Sequence, residues 1–155
     1  IVVYDPNGGF VTGGGWITSP AEPRLQYMSV SGKANFGFVS KYQKGANVPT
    51  GDTEFQFKAG NMNFKSNVYE WLVVAGARAQ YKGSGTINGA GNYGFLLTAI
   101  DGAINGGGGI DQFRIKITDK TTNAVVYDNQ NEAIEDSSSA TALGGGSIVI
   151  HTSNK

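Results

Sequence analysis

Alternation of apolar and polar residues with a period of two recurs along this 155-residue chain, and no other pattern constrains the fold as much. In "KANFGFVSKY", Phe36 and Phe38 fall on one face, with Asn35, Gly37 and Val39 on the other. "TEFQFKA" sets Phe55 and Phe57 against Glu54, Gln56 and Lys58. "AGARAQYKG" sets Ala75, Ala77, Ala79 and Tyr81 against Arg78, Gln80 and Lys82, and "FRIKI" sets Phe113, Ile115 and Ile117 against Arg114 and Lys116. Successive side chains of a strand point to opposite faces, so each stretch predicts a strand with one face in a core and one in water. Further strands are predicted at "IVVYD", "GFVTGGGWIT", "YEWLVV", "NYGFLLTAI", "AVVYDN" and "SIVIHT". No apolar i, i+3, i+4 pattern persists for three turns, and "NEAIEDSSSATAL" supports one helical turn at most. The dipeptides Asn7-Gly8, Asn88-Gly89 and Asn105-Gly106 tolerate the positive φ of tight hairpins. About ten strands separated by such signals predict an all-β chain, an antiparallel β-sandwich of jelly-roll or immunoglobulin-like type.

Composition bounds the function. Lys+Arg and Asp+Glu are equal at 12 each, which leaves no basic stripe for nucleic acid and no attraction to an anionic membrane. The longest apolar run, "WLVVAGA" at 71–77, is far short of the ~20 residues of a membrane helix. Cysteine is absent, which excludes disulfides, zinc–thiolate sites and thiol catalysis. The chain is long enough to bury a core without such staples, and residues 1–155 read as one module. Few lysines and glutamates beside abundant Gly, Thr, Asn and Ser point to a bacterial extracellular module. The start at Ile1, without an initiator Met, suggests a chain processed or cut from a longer one.

Few residues have the makings of catalysis. His151 is the only histidine and no serine sits in a G-x-S-x-G elbow, so His151 reads as the end of a terminal strand. Glu70, in "VYEWLVV", has no paired acid in a recognisable motif and reads as a solvent-facing strand residue. The runs "GGGWI" and "GGGS" lack the G-K-[ST] ending of a phosphate loop and instead predict bulges and close backbone approaches. Asp101, Asn105 and Asp111 bracket the glycine run 106–109 and partly echo the calcium loop D-x-[DN]-x-[DN]-G. The echo fails at Ala103 and at the twelfth position, which holds no glutamate. Two readings follow: a Ca²⁺ site, to which Asp119 or Asp128 adds a carboxylate, or turn residues bonding their own backbone. The flat rings of Trp16, Tyr69 and Trp71, with Tyr27 at the rim, form a second candidate, a carbohydrate-stacking platform; the alternative is that they are core. Strict alternation places Tyr69 and Trp71 on one face.

The phrases "GGFVTGGGWITSPA", "GKANFGFVSKYQKGANVPTGDTEFQFKAG", "YEWLVVAGARAQYKGSGTING", "YGFLLTAIDG" and "DQFRIKI" resemble the Gly-rich β module of large bacterial secreted and surface proteins. That module follows PKD or Ig-like repeats and is described as a post-choice-of-anchor (post-COAP) domain. The resemblance implies a non-catalytic extracellular module, and makes residues 1–6 the junction strand of a preceding repeat. Three functions follow: an accessory or structural module contacting neighbouring domains of its own chain, a carbohydrate-binding module for a polysaccharide, and a self-assembling unit. In the last, Ile1 to Tyr4 add as a strand to a neighbouring copy, giving a homo-oligomer.

Overall fold

Hairpin by hairpin, the predicted strands pair with their neighbours in sequence. The computed structural model describes residues 10–19, 30–42, 49–75, 77–103, 109–129 and 141–151. These form β1 (Phe10–Ser19), β2 (Gly32–Tyr42), β3 (Pro49–Phe57), β4 (Met62–Ala75), β5 (Arg78–Ile87), β6 (Ala90–Ile100), β7 (Gln112–Asp119), β8 (Val125–Asp128), β9 (Thr141–Ala142) and β10 (Gly145–His151). Their order in the sheet is β10-β1-β2-β3-β4-β5-β6-β7-β8, with β9 also on β7, and every pairing is antiparallel. The N-terminal segment, Asn7-Gly8, Tyr27, Asn105-Gly106 and most of "NEAIEDSSSATAL" lie outside the described residues.

The expected all-β antiparallel fold is present, and the described residues do not show a second sheet. They make one sheet curled into a half-barrel around its own concave face. From β1 to β8 each strand is hydrogen-bonded to the next, so none crosses to a second layer. Alternation reads the same in both architectures, because it reports a one-sided core and not what closes it. Curling has a local cause in register shifts at Ser66/Val68 and Tyr69/Trp71 on β4, Gly85/Ile87 on β5 and Ile117/Thr118 on β7. Each irregularity bends its strand and increases the twist. At the β5–β6 turn, Asn88 and Gly89 take φ of 54° and 80°, the pair of positive values a two-residue hairpin requires.

Aromatic rings fill the concave side. Phe36 on β2 stacks on Phe113 of β7 at 4.1 Å between centroids, although five sheet positions separate the strands. Phe55 of β3 meets Tyr127 of β8 at 4.9 Å, and the Tyr127 hydroxyl donates to Ser19 Oγ at the end of β1 (2.7 Å). These contacts cross the interior and hold the two ends of the sheet toward each other. The glycine run of β1 makes room for them: a Cβ on Gly13 would lie 2.6 Å from the Phe38 ring.

The buried hydroxyls of Thr53, Tyr69 and Tyr81 are paired in a chain, whereas the buried Ser40 Oγ has no partner among the described residues. Thr53 Oγ1 contacts Tyr69 Oη and, at 2.6 Å, Tyr81 Oη, while Tyr69 donates to the Val39 carbonyl at 2.9 Å. Tyr69 has one proton, given to Val39, so Thr53 must donate to Tyr69 and Tyr81 must donate to Thr53. Burial pushes the hydroxyls of Tyr81 and Tyr127 well above the ordinary phenol value, and that of Tyr69 upward. In the unfolded chain these phenols ionise near pH 10, while the folded chain keeps its protons to higher pH. The folded state therefore binds more protons in that window, and stability must fall as pH rises. The expected slope is about 1.4 kcal/mol per pH unit for each of Tyr81 and Tyr127. Alkaline unfolding curves check it: Tyr81→Phe and Tyr127→Phe should each flatten the slope, and slopes equal to wild type would contradict the burial.

Candidate functional site

Polar side chains gather at the seam beside β10 and in a groove on the convex face. At the seam, β10 pairs with β1 on one side only, which leaves alternate amides facing outward. Asp101, directly after β6, accepts from Ile150 N through Oδ2 (2.9 Å) and from Ala103 N through Oδ1 (3.0 Å). Asp111, directly before β7, accepts from Ile148 N through Oδ2 (2.8 Å) and from Gly102 N through Oδ1 (2.7 Å). Four carboxylate oxygens thus serve four different backbone amides. The aspartates bond their own loop, as turn chemistry predicts, and reach the sheet edge as well.

The same accounting holds for the outer edge of β7. It is shared by β8 at one end and by β9 at the other, and Asn129 fills the gap with its carboxamide, accepting from Ile115 N and donating to Phe113 O (both 2.8 Å). Leu143 N then bonds Asp111 O and Gly144 N bonds Trp16 O, so residues 141–151 pass from the edge of β7 to the edge of β1.

Asn105 lies outside the described residues, and the other carboxylates considered for calcium have structural partners. Asp128 receives two hydrogen bonds from Arg114, at 3.1 and 2.9 Å, in a buried pair. Asp119 Oδ1 caps Thr121 N at 2.8 Å. Arg114 is on the convex face as expected but is only 2% exposed, not in water. Among the described residues no three His, Cys, Asp or Glu side chains converge.

The aromatic candidates separate. Tyr69 points into the core, 5% exposed, and is not a platform. The bulge at Tyr69/Trp71 adds Glu70 as an extra residue, so Trp71 faces outward while Tyr69 faces in, contrary to strict alternation. Trp71 is partly exposed opposite Lys82. Trp16 also lies on the convex side, but the backbone of Gly144 and Gly145 packs against its ring, and Lys33 Nζ sits 4.7 Å from the ring centroid. Tyr27 lies outside the described residues, as do Ile1 to Tyr4. His151 ends β10 opposite Phe10.

The groove was not anticipated from the sequence. It encloses about 230 Å³ between Glu70, Lys82, Gly94, Leu96, Lys116, Thr118, Lys120 and Asn123. Lys82, Leu96 and Lys116 are register neighbours across β5, β6 and β7, as are Ser84, Gly94 and Thr118. Lysines on the wet faces of "AQYKG" and "RIKI" were the available signal, and only the pairing registers bring them to one place.

No family model matches the chain, and no match is found among curated proteins or solved structures.

Removing a seam carboxylate leaves edge amides without an acceptor. Asp111→Ala is expected to cost about 1–3 kcal/mol for the amides of Ile148 and Gly102. Urea unfolding measures it, and a midpoint equal to wild type would show that the carboxylate holds nothing.

Proposed function

We propose that the chain is a non-catalytic accessory module of a bacterial exported or surface protein, folding without a metal ion. One observation carries the reading. Apart from the Ser40 hydroxyl, the ionisable and hydroxyl groups named above near the core (Asp101, Asp111, the Arg114–Asp128 pair and the Tyr81–Thr53–Tyr69 chain) each hold backbone or one another in place. Such groups rigidify a scaffold, whereas catalytic groups must turn polar atoms toward a reactant. Neutral net charge and the resemblance to post-COAP modules favour a place among the domains of a larger exoprotein. Asp101 and Asp111 direct their oxygens to separate amides and not to one point, which favours a module closed by hydrogen bonds over one closed by calcium.

The test is export. Fused behind a secretion signal in a bacterial host, the chain should accumulate outside the cell, folded and protease-resistant, with the same thermal midpoint in Ca²⁺ as in EDTA. Retention or degradation would contradict the accessory reading. A midpoint several degrees higher in calcium, lost in Asp111→Ala, would restore the metal site, because a ligand of the folded state raises its melting temperature. A second reading, carbohydrate binding, is favoured by Trp71, whose partly exposed ring stands on the convex face beside Lys82.

A further inference from the structure

The convex face carries a concentration of positive charge that the neutral composition hides. Three of the 12 Lys and Arg residues, Lys82, Lys116 and Lys120, line one groove with a single carboxylate, Glu70. Lys82 and Lys116 rise on either side of Leu96, two strand spacings or about 10 Å apart. Leu96 is 8% exposed and gives the groove an apolar floor. Gly94 opens it further: with no side chain between Ser84 and Thr118, the stem of Lys120 lies over the backbone, and its Nζ donates to Ser84 Oγ at 2.9 Å. Trp71 stands beside Lys82 at the bulge that turned it outward.

These features select a ligand class. Spaced lysines favour anionic groups as point charges. An apolar floor, a neighbouring indole and the hydroxyl and amide of Thr118 and Asn123 suit a ring that carries hydroxyls on its edge and C–H groups on its face. Glu70 accepts from hydroxyls and opposes a dense polyphosphate. A nucleic acid requires a broader basic field than a few lysines on a neutral chain.

We propose that this groove binds a carboxylate-bearing polysaccharide, a chain of uronic acid units, with Lys82 and Lys120 meeting carboxylates and Trp71 meeting a sugar face. The assignment rests on the carbohydrate-binding reading and adds the charge of the sugar.

Calorimetric titration with polygalacturonate tests it, using as second probe the same polymer with its carboxylates reduced to alcohols, and as third polyglutamate. Polygalacturonate should bind, weakening as salt rises, and the other two should not. Lys82→Gln and Lys120→Gln should each weaken binding about fivefold, the order of one screened ion pair. Lys58→Gln, equal in charge but outside the groove, should leave it unchanged. Gly94→Ala keeps every lysine and narrows the opening. Its Cβ meets nothing closer than the Lys120 stem at 3.6 Å, so the variant should melt no lower than wild type and bind more weakly. Equal binding of the reduced polymer would overturn the anionic assignment and leave the carbohydrate reading standing. Equal binding of polyglutamate, or equal loss in Lys58→Gln, would reduce the groove to diffuse charge. Binding of none of the three would overturn this assignment and the carbohydrate reading together, leaving the accessory module.

Discussion

A single curled sheet has two edges, and unpaired edge amides are the constraint on which the rest of this structure depends. An open edge left in contact with water invites pairing with another chain, and one left buried costs the desolvation of each amide. Here the edge of β10 and the part of the β7 edge that β8 does not cover are closed from within. The amides of Ile148 and Ile150 reach Asp111 and Asp101, and the edge of β7 is divided among β8, the Asn129 carboxamide and β9. Because residues 141–151 touch both edges, the sheet folds back on itself and its concave face becomes a core for Phe36, Phe55, Phe113 and Tyr127.

Local features of the sequence were legible where the cause is local. The alternation around Phe36, Phe55 and Ile115 follows from strand geometry, and Asn88-Gly89 turns because both residues accept positive φ. The glycine run of β1 marks close approaches, as Gly13 under Phe38 illustrates. What lay beyond reach depends on pairing. One extra residue at Glu70 sends Trp71 outward and Tyr69 inward, and no period-two count foresees it. Sandwich and curled sheet share the same alternation, so the layer count was not legible. Asp101 and Asp111 looked like a loop pair, yet their edge partners lie 49 and 37 residues away in the chain. Arg114 occupies a polar position of its strand, and its burial depends on the distant Asp128.

The same registers that close the core organise the outer surface. Pairing β5, β6 and β7 places Lys82, Leu96 and Lys116 in one row and Ser84, Gly94 and Thr118 in the next. The bulge that bends β4 also delivers Trp71 to that face. Scaffold and groove are therefore products of one set of strand registers. A sheet whose buried Tyr81–Thr53–Tyr69 chain and Arg114–Asp128 pair are internally bonded is suited to present such a surface.

Amide hydrogen exchange at Ile148 and Ile150 tests the closure most directly. Both N–H groups point away from β1, so in an open sheet they would exchange at rates close to those of an unprotected chain. Closure by Asp111 and Asp101 predicts protection comparable to that of amides bonded between β1 and β10. Rapid exchange at these two positions, with their neighbours on β10 protected, would mean that the edge is open and that the aspartates do not hold the sheet together.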